Sequence, residues 1–323
     1  MKMIKPIYKL LDWIDENKLN LYHLSLNKKA IDYLKLNQEK INWDSLSLNT
    51  KAIELLKENP DKINWDYLSE NSNGIELLKS NLDKINWEYL SLNKNLQAIE
   101  LLKENPDKID WSSLYSNENA VNIFKIYPEK INWVWLSKNE NAIELLKENF
   151  EEIHWDNLSI NINGISLLKE NQDKINWSNL CFNENAIELL KSNLNKINWS
   201  CLSSNKNAIE LLKSNQNKIC WSSLSSNKNL QAIELLRENL DKINWTYLSF
   251  NPNGIELLKE NQDKIDWKII SSNPSIFELD YKQMSINIKN FQEELIQKIM
   301  NPDRIKRLSI IYEFDFKDWL LSI

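Results

Sequence analysis

Glycine is nearly absent from this chain. Gly74, Gly164 and Gly254 are its only three in 323 residues, and they lie 90 residues apart. A loop that cradles phosphate needs clustered glycines where backbone approaches the ligand, so neither a dinucleotide fingerprint nor a P-loop can be assembled. Seven prolines are too few for the many turns of a β-rich protein. Cysteine occurs three times, as Cys181, Cys201 and Cys220, with no CxxC pair and an odd total, which suits a reducing intracellular setting. Long apolar runs are missing as well. Residues 1–20 mix Lys2, Lys5, Lys9, Asp12, Asp15 and Glu16 among their apolar neighbours, so no signal peptide is expected, and no segment approaches a membrane span. Neither charge sign dominates: 40 basic against 46 acidic side chains leave −6, without the basic surplus of a nucleic-acid carrier. A soluble, intracellular protein is expected.

Asparagine fills the space, with 48 residues, and tryptophan sets a period. From Trp43 to Trp267 eleven tryptophans recur every 22 residues, apart from two intervals of 24. A small residue stands 13 positions before each, from Ala30 to Gly254, and the three glycines are instances of it. Numbering that residue slot 1, the repeat reads A-I-E-L-L-K-E-N-x-D-K-I-N-W-x-x-L-S-x-N-x-N. Slots 1, 2, 4 and 5 are apolar, the spacing of a short amphipathic helix. Asn at slot 22 and Glu at slot 3, as in Asn141-Ala142-Ile143-Glu144, have the layout of a capping box. Asn at slot 8 suits a left-handed stop, and Pro60, Pro106 and Pro128 at slot 9 mark the helix end.

A second, shorter helix follows. Asn or Asp at slot 13 caps it, Trp at slot 14 and Leu at slot 17 form its buried face, and Asn at slot 20 closes it in all eleven copies. Slot 20 is also expected to join adjacent turns by hydrogen bonds. Neither helix would persist alone in water, so stability must come from stacking. The expected fold is all-α, an α-solenoid of about eleven 22-residue two-helix repeats with N- and C-terminal capping helices. At about 8–10 Å per helix layer it would be roughly 100 Å long, straight or curved.

Three regions result. Residues 1–29 read as an N-terminal capping helix (Ile4 to Glu16) and a half repeat with Leu21 in the Trp slot. Residues 30–275 form the solenoid. Residues 276–323 read as a C-terminal helical cap or small module, with helices over Ile288 to Met300 and Pro302 to Leu321. The two long intervals insert Leu96-Gln97 and Leu230-Gln231 after a capping Asn, so the long helix should start two residues early there.

Strings such as residues 139–155 (N-E-N-A-I-E-L-L-K-E-N-F-E-E-I-H-W) and 251–267 resemble a tandem-repeat family common in giant DNA viruses, whose repeat is N-P-N-A-I-x-L-L-E-x-N-x-D-K-I-N-W-x-x-L-S-x-N. The likeness covers roughly residues 20 to 275, although Pro at slot 21 appears only as Pro252 and Pro274. It implies the solenoid fold and a viral protein of the host cytoplasm or the virion. It brings no biochemical activity with it.

Catalytic chemistry finds little footing. His23 lies in the half repeat and His154 fills slot 13, where a capping or surface role suffices. The three cysteines occupy three different slots, so no convergent metal ligands are expected. Carboxylates recur as stripes at slots 3 and 10, whereas a catalytic pair needs two unlike environments at one place. No enzyme, cofactor, metal or small-molecule substrate is expected.

Two binding functions remain. Lys or Arg at slot 6 and Lys at slot 11 form basic stripes that could read single-stranded nucleic acid. Acids at slots 3 and 10 stand beside them, the pattern of a solvated helix face. A protein-interaction scaffold is the leading reading. Slots 9, 15, 16, 19 and 21 vary between copies, three of them in the short helix, and slots 16 and 19 hold Tyr67, Tyr89, Trp135 and Tyr247 with Leu48, Leu92, Ile160, Phe182 and Phe250. They form an uneven apolar strip suited to a partner, or else pack between repeats. The most deviant copy loses charge and gains aromatics, which nominates Tyr115, Ile126, Tyr127 and Trp135 as a partner site.

Overall fold

The computed structural model describes residues 5–299 and Asn301. One compact unit spans Leu10–Ile276, and a second comprises Met1–Lys9 with Phe277–Ile323. The larger unit is a tandem array of short helices. In a typical repeat the long helix is Ile53–Glu58, a 3-10 turn follows at Pro60–Lys62, and the short helix is Trp65–Glu70. The 3-10 turn at slots 9–11 is a third element where the sequence suggested a simple turn. Pro60 fits its first position because no backbone N–H is needed there.

Asparagine does its work differently from the capping-box expectation. Ala142 precedes the long helix Ile143–Glu148 and supplies no side-chain cap. Asn141 instead donates its side-chain amide to the Glu118 carbonyl one repeat earlier, at 3.0 Å. The residue at slot 1 is already held by a tight turn from slot 20, as in Ala52 N–H to Asn49 O at 2.9 Å, so slot 22 is free to reach sideways. Only where Leu-Gln is inserted does slot 22 cap. Asn95 and Asn229 accept from Gln97 and Gln231, and helices Leu96–Glu104 and Leu230–Arg237 start early, as expected.

The left-handed stop at slot 8 is also corrected. Asn59 has φ −134° and ψ 62°, and its amide donates to Leu55 O at 2.9 Å, closing the helix through its side chain. Slot 13 behaves as anticipated. Asn64 accepts from Tyr67 N–H, and His154 Nδ1 takes the same role toward Asn157 N–H at 3.4 Å.

Leucines at slots 5 and 17, such as Leu56 and Leu68, have no exposed surface and form the core. Slot 1 is small because Leu at slot 17 of the preceding repeat presses on it. A Cβ on Gly74 would lie 2.8 Å from Leu68 Cδ1. The tryptophans at slot 14 are only half-buried. At seven of the eleven a slot-11 lysine of the next repeat covers the ring, Lys84 Nζ lying 4.4 Å from the centroid of Trp65 and Lys196 4.3 Å from that of Trp177. Long lysine stems thus finish the packing that a fully interior Trp would not have needed.

Two sets of bonds clamp neighbouring repeats. Asn at slot 20 is buried and saturated. Asn93 donates to Ser69 O at 2.8 Å and Asn71 O at 3.1 Å, while its own oxygen accepts from Asn95 N–H at 2.9 Å. Asp lacks the donors and Ser lacks the reach, so only Asn can fill this slot. Its backbone is extended, not left-handed: φ is −69° and ψ 118° at Asn93. The second clamp is Ser at slot 18. Ser69 donates to Trp65 O at 2.8 Å and accepts from Asn86 N–H of the next repeat at 3.0 Å.

The same two clamps join the ends of the array. Asn27 of the half repeat donates to Ser271 O at 3.2 Å and to Asn273 O at 2.9 Å. Asn20 N–H donates to Ser271 Oγ at 2.8 Å, and Lys18 lies 5.0 Å from the ring of Trp267. Glu16–Lys18 is a 3-10 turn and Leu21–Leu26 a short helix, so residues 16–29 complete a twelfth joint in register. Residues 10–276 therefore close on themselves. The array of roughly 100 Å expected from stacking, whose curvature the repeat pattern leaves open, is bent into a ring, because the two ends are complementary copies of one interface.

In the other unit, strands β1 (Tyr8–Leu10) and β2 (Phe277–Leu279) pair. Asp280 N–H donates to Ile7 O at 2.8 Å, and Lys9 meets Glu278 at 3.0 Å. The N-terminal capping helix is thus replaced by a strand, since its pairing partner lies some 270 residues away in sequence, beyond the reach of local pattern. One helix, Tyr281–Ile299, begins after Asp280, whose carboxylate accepts from Gln283 N–H at 2.9 Å. It starts earlier than expected, and the helix read over Pro302 to Leu321 lies outside the described residues.

Candidate functional site

Around a closed ring, the spacing of equivalent elements grows with their distance from the axis. At seven of the twelve joints, from Leu21–Leu26 against Trp43–Leu48 to Trp245–Phe250 against Trp267–Ile270, neighbouring short helices pack closely on one another, and no two consecutive long helices pack as closely. The short helices therefore form the inner rim. With twelve of them at about 8–10 Å spacing, the circle through their axes is roughly 30–40 Å across, and after side chains an opening on the order of 20 Å remains.

Which side chains face that opening follows from helix geometry. Leu at slot 17 points into the core. At 100° per residue, slots 15 and 19 lie on the opposite side of the helix and slot 16 beside them. The variable slots noted in the sequence thus gather on the rim. Tyr22, Val134, Trp135, Phe182, Tyr247 and Phe250 are exposed there, between 44 and 54%. Tyr22, one position after Leu21 of the half repeat, occupies slot 15 and joins the rim. Leu48, Leu92 and Ile160 are half-buried, so slot 19 packs partly between repeats.

Of the four nominated residues, the structure brings two together. Tyr115 and Trp135 line a cleft of about 220 Å³ with Glu118, Lys138, Asn139 and Glu140. Ile126 is exposed at the end of the long helix Val121–Ile126, and Tyr127 packs edge-on against Trp111 with centroids 5.5 Å apart. The cleft has a structural cause. Tyr115 fills slot 18, where ten other joints have Ser and one has Cys181. At those eleven the hydroxyl or thiol accepts the slot-13 N–H of the next repeat. Tyr115 turns away, stacks on Phe124 at 5.6 Å and donates to Lys130 O at 2.8 Å. Asn132 N–H is left without that acceptor, and the Asn139 amide reaches Asn117 O only at 3.4 Å.

The lysine stripes are partly engaged. Five slot-6 lysines pair with the slot-3 acid, as in Lys57–Glu54 at 3.0 Å, Lys103–Glu100 at 2.8 Å and Lys191–Glu188 at 2.8 Å, and Arg237 pairs with Glu260. Slot-11 lysines cover seven of the tryptophans. The cysteines are separate in role. Burial pushes the Cys181 thiol up to about 11, and the Ser223 hydroxyl holds Cys220 below its usual value. Among the described residues no group of three or more His, Cys, Asp or Glu could hold a metal ion, and no helix is long and apolar enough to cross a membrane. Comparison with family models, with curated proteins and with solved structures finds no match for this chain.

Proposed function

We propose that the protein is a non-catalytic interaction scaffold that holds partner proteins along the inner rim of its ring. One observation carries the reading: three of the five slots that differ from repeat to repeat, slots 15, 16 and 19, lie together on the inner rim, while the residues at slots 17 and 20 that hold the ring together are nearly uniform. A frame with constant joints and a variable concave face is how stacked repeats present a binding surface. Exposed aromatics on that face are the side chains that anchor protein interfaces. The alternative, nucleic-acid binding through the lysine stripes, has less support, since about half of those lysines are paired with carboxylates or laid over tryptophan rings and acids stand among the rest. If the chain is viral, as its repeats suggest, the partner belongs to the host cytoplasm or the virion.

A photo-crosslinking amino acid placed singly at Trp135, Phe182 and Tyr67 tests the reading in cells that express the full chain. Protein adducts at rim positions and none at an outer position such as Lys57 are the expected result. Absence of adducts at every rim position would sink it.

A further inference from the structure

The inner rim has two unlike halves. One runs from repeat 10 through the closing joint to repeat 3. At slots 15, 16 and 19 it holds Asp44, Asp66, Glu70 and Glu88, with Lys268 as its one lysine. It also holds Tyr22, Tyr67, Tyr89, Tyr247 and Phe250 with Leu26, Leu48 and Leu92. The opposite half, repeats 4 to 9, has nine serines at the same slots, one acid (Asp156), one lysine (Lys138), and two aromatics, Trp135 and Phe182. The first half exists as a continuous surface only because the ring closes, since Tyr247 and Phe250 precede the joint and Tyr22 follows it.

Part of the acidity is structural. Asp44 and Asp66 each accept an amide from the next repeat, Asn64 at 2.8 Å and Asn86 at 2.9 Å. Glu70 is different. It is half-buried beside Leu68 and Ser69, has no hydrogen-bond or ion-pair partner among the described residues, and burial raises its carboxyl. His23, in the same half, is kept toward its neutral form by burial and then by Lys268, so it does not offset the carboxylates.

We propose that this half of the rim docks a partner protein through one basic, amphipathic segment, whose apolar residues contact Tyr22, Tyr247 and Phe250 and whose Lys or Arg side chains meet Asp66, Glu70 and Glu88. The inference rests on the scaffold reading and names the partner's chemistry. The charges steer and select, and the aromatics supply most of the contact.

A labelled amphipathic peptide of about 20 residues, with lysines on one side and leucines on the other, is titrated against the full chain by fluorescence anisotropy. It should bind at least tenfold more tightly than the same peptide carrying Glu for Lys, and the gap should shrink at high salt. The variant D66N/E70Q/E88Q should lose about tenfold, Phe250→Ala a similar amount, and Trp135→Ala nothing. Equal binding of the acidic peptide, an unaffected triple variant, or no binding of either peptide would each overturn the proposal. Partner crosslinks at Trp135 or Phe182 but none at Tyr67 would overturn it too while leaving the scaffold reading intact, whereas no rim crosslinks at all would remove both. Circular dichroism of each variant checks that the ring is folded.

Discussion

Two joints of the ring invert the usual expectation about chain continuity. Repeats 4 and 5 are covalently continuous, yet their joint lacks the slot-18 clamp and its asparagine bond is long, at 3.4 Å. The last repeat and the half repeat are opposite ends of the array, yet their joint has both clamps, from Ser271 to Asn20 and from Asn27 to two carbonyls. Peptide linkage keeps neighbours close but does not make their interface strong. The polar groups that each joint satisfies decide that, and a buried amide with all its bonds made is costly to disturb.

The sharpest way to break this comparison is to remove the same residue from each joint. Asn27→Ala deletes two donated bonds and one accepted bond at a buried site, and should cost about 2–4 kcal/mol by leaving carbonyls unpaired. Asn139→Ala, at the weak joint, should cost about 1 kcal/mol. Urea unfolding measures both, and amide exchange near Ser271 should rise only for the first. Equal costs would mean that the closing joint has no special integrity.

Repairing the weak joint tests the same idea from the other side. Tyr115→Ser combined with Phe124→Leu restores the consensus, gives Asn132 N–H its acceptor, and should gain about 1 kcal/mol. Tyr115→Ser alone should gain less or lose, because it empties the space stacked on Phe124. Closure of the cleft in the double variant should also abolish any partner crosslink at Trp135.

The smallest expected effect is acid loosening of the closing joint. Burial, and next the charge of Lys268, hold the His23 pKa below its ordinary 6.5, with Asp266 acting weakly the other way. The unfolded chain therefore binds more protons in this range, and the stability His23 contributes is present above pH 6.5 and lost as pH falls below it toward the depressed folded value. His23→Gln should flatten the pH profile of thermal unfolding across that window. An identical profile would show that His23 is not coupled to folding.

Much of the fold was legible because repetition writes each rule eleven times. The period, the helical slots, the core leucines and the slot-13 caps follow from apolar spacing and from where short polar side chains can reach a free N–H. The capping-box reading failed at slot 22 for a physical reason. Asn offers both donors and an acceptor, and sequence shows only that it stands beside a helix, not whether it turns along the chain or across to the next repeat. Tryptophan misled similarly, since its partner in finishing the burial is a lysine one repeat on. The site was half legible: slot variability pointed to the rim, but Tyr115 and Trp135 share a cleft while Ile126 and Tyr127 do not.

The sequence by itself determined an all-α array of short helices with uniform joints and a variable strip, since each of these depends on residues within about one period. Only the tertiary structure decided that the array closes. Closure depends on the small angle between successive repeats summed over twelve joints, and no local spacing encodes that sum. It is also what turns an edge of the array into an inner rim, and sets Tyr22 beside a surface built more than 200 residues later.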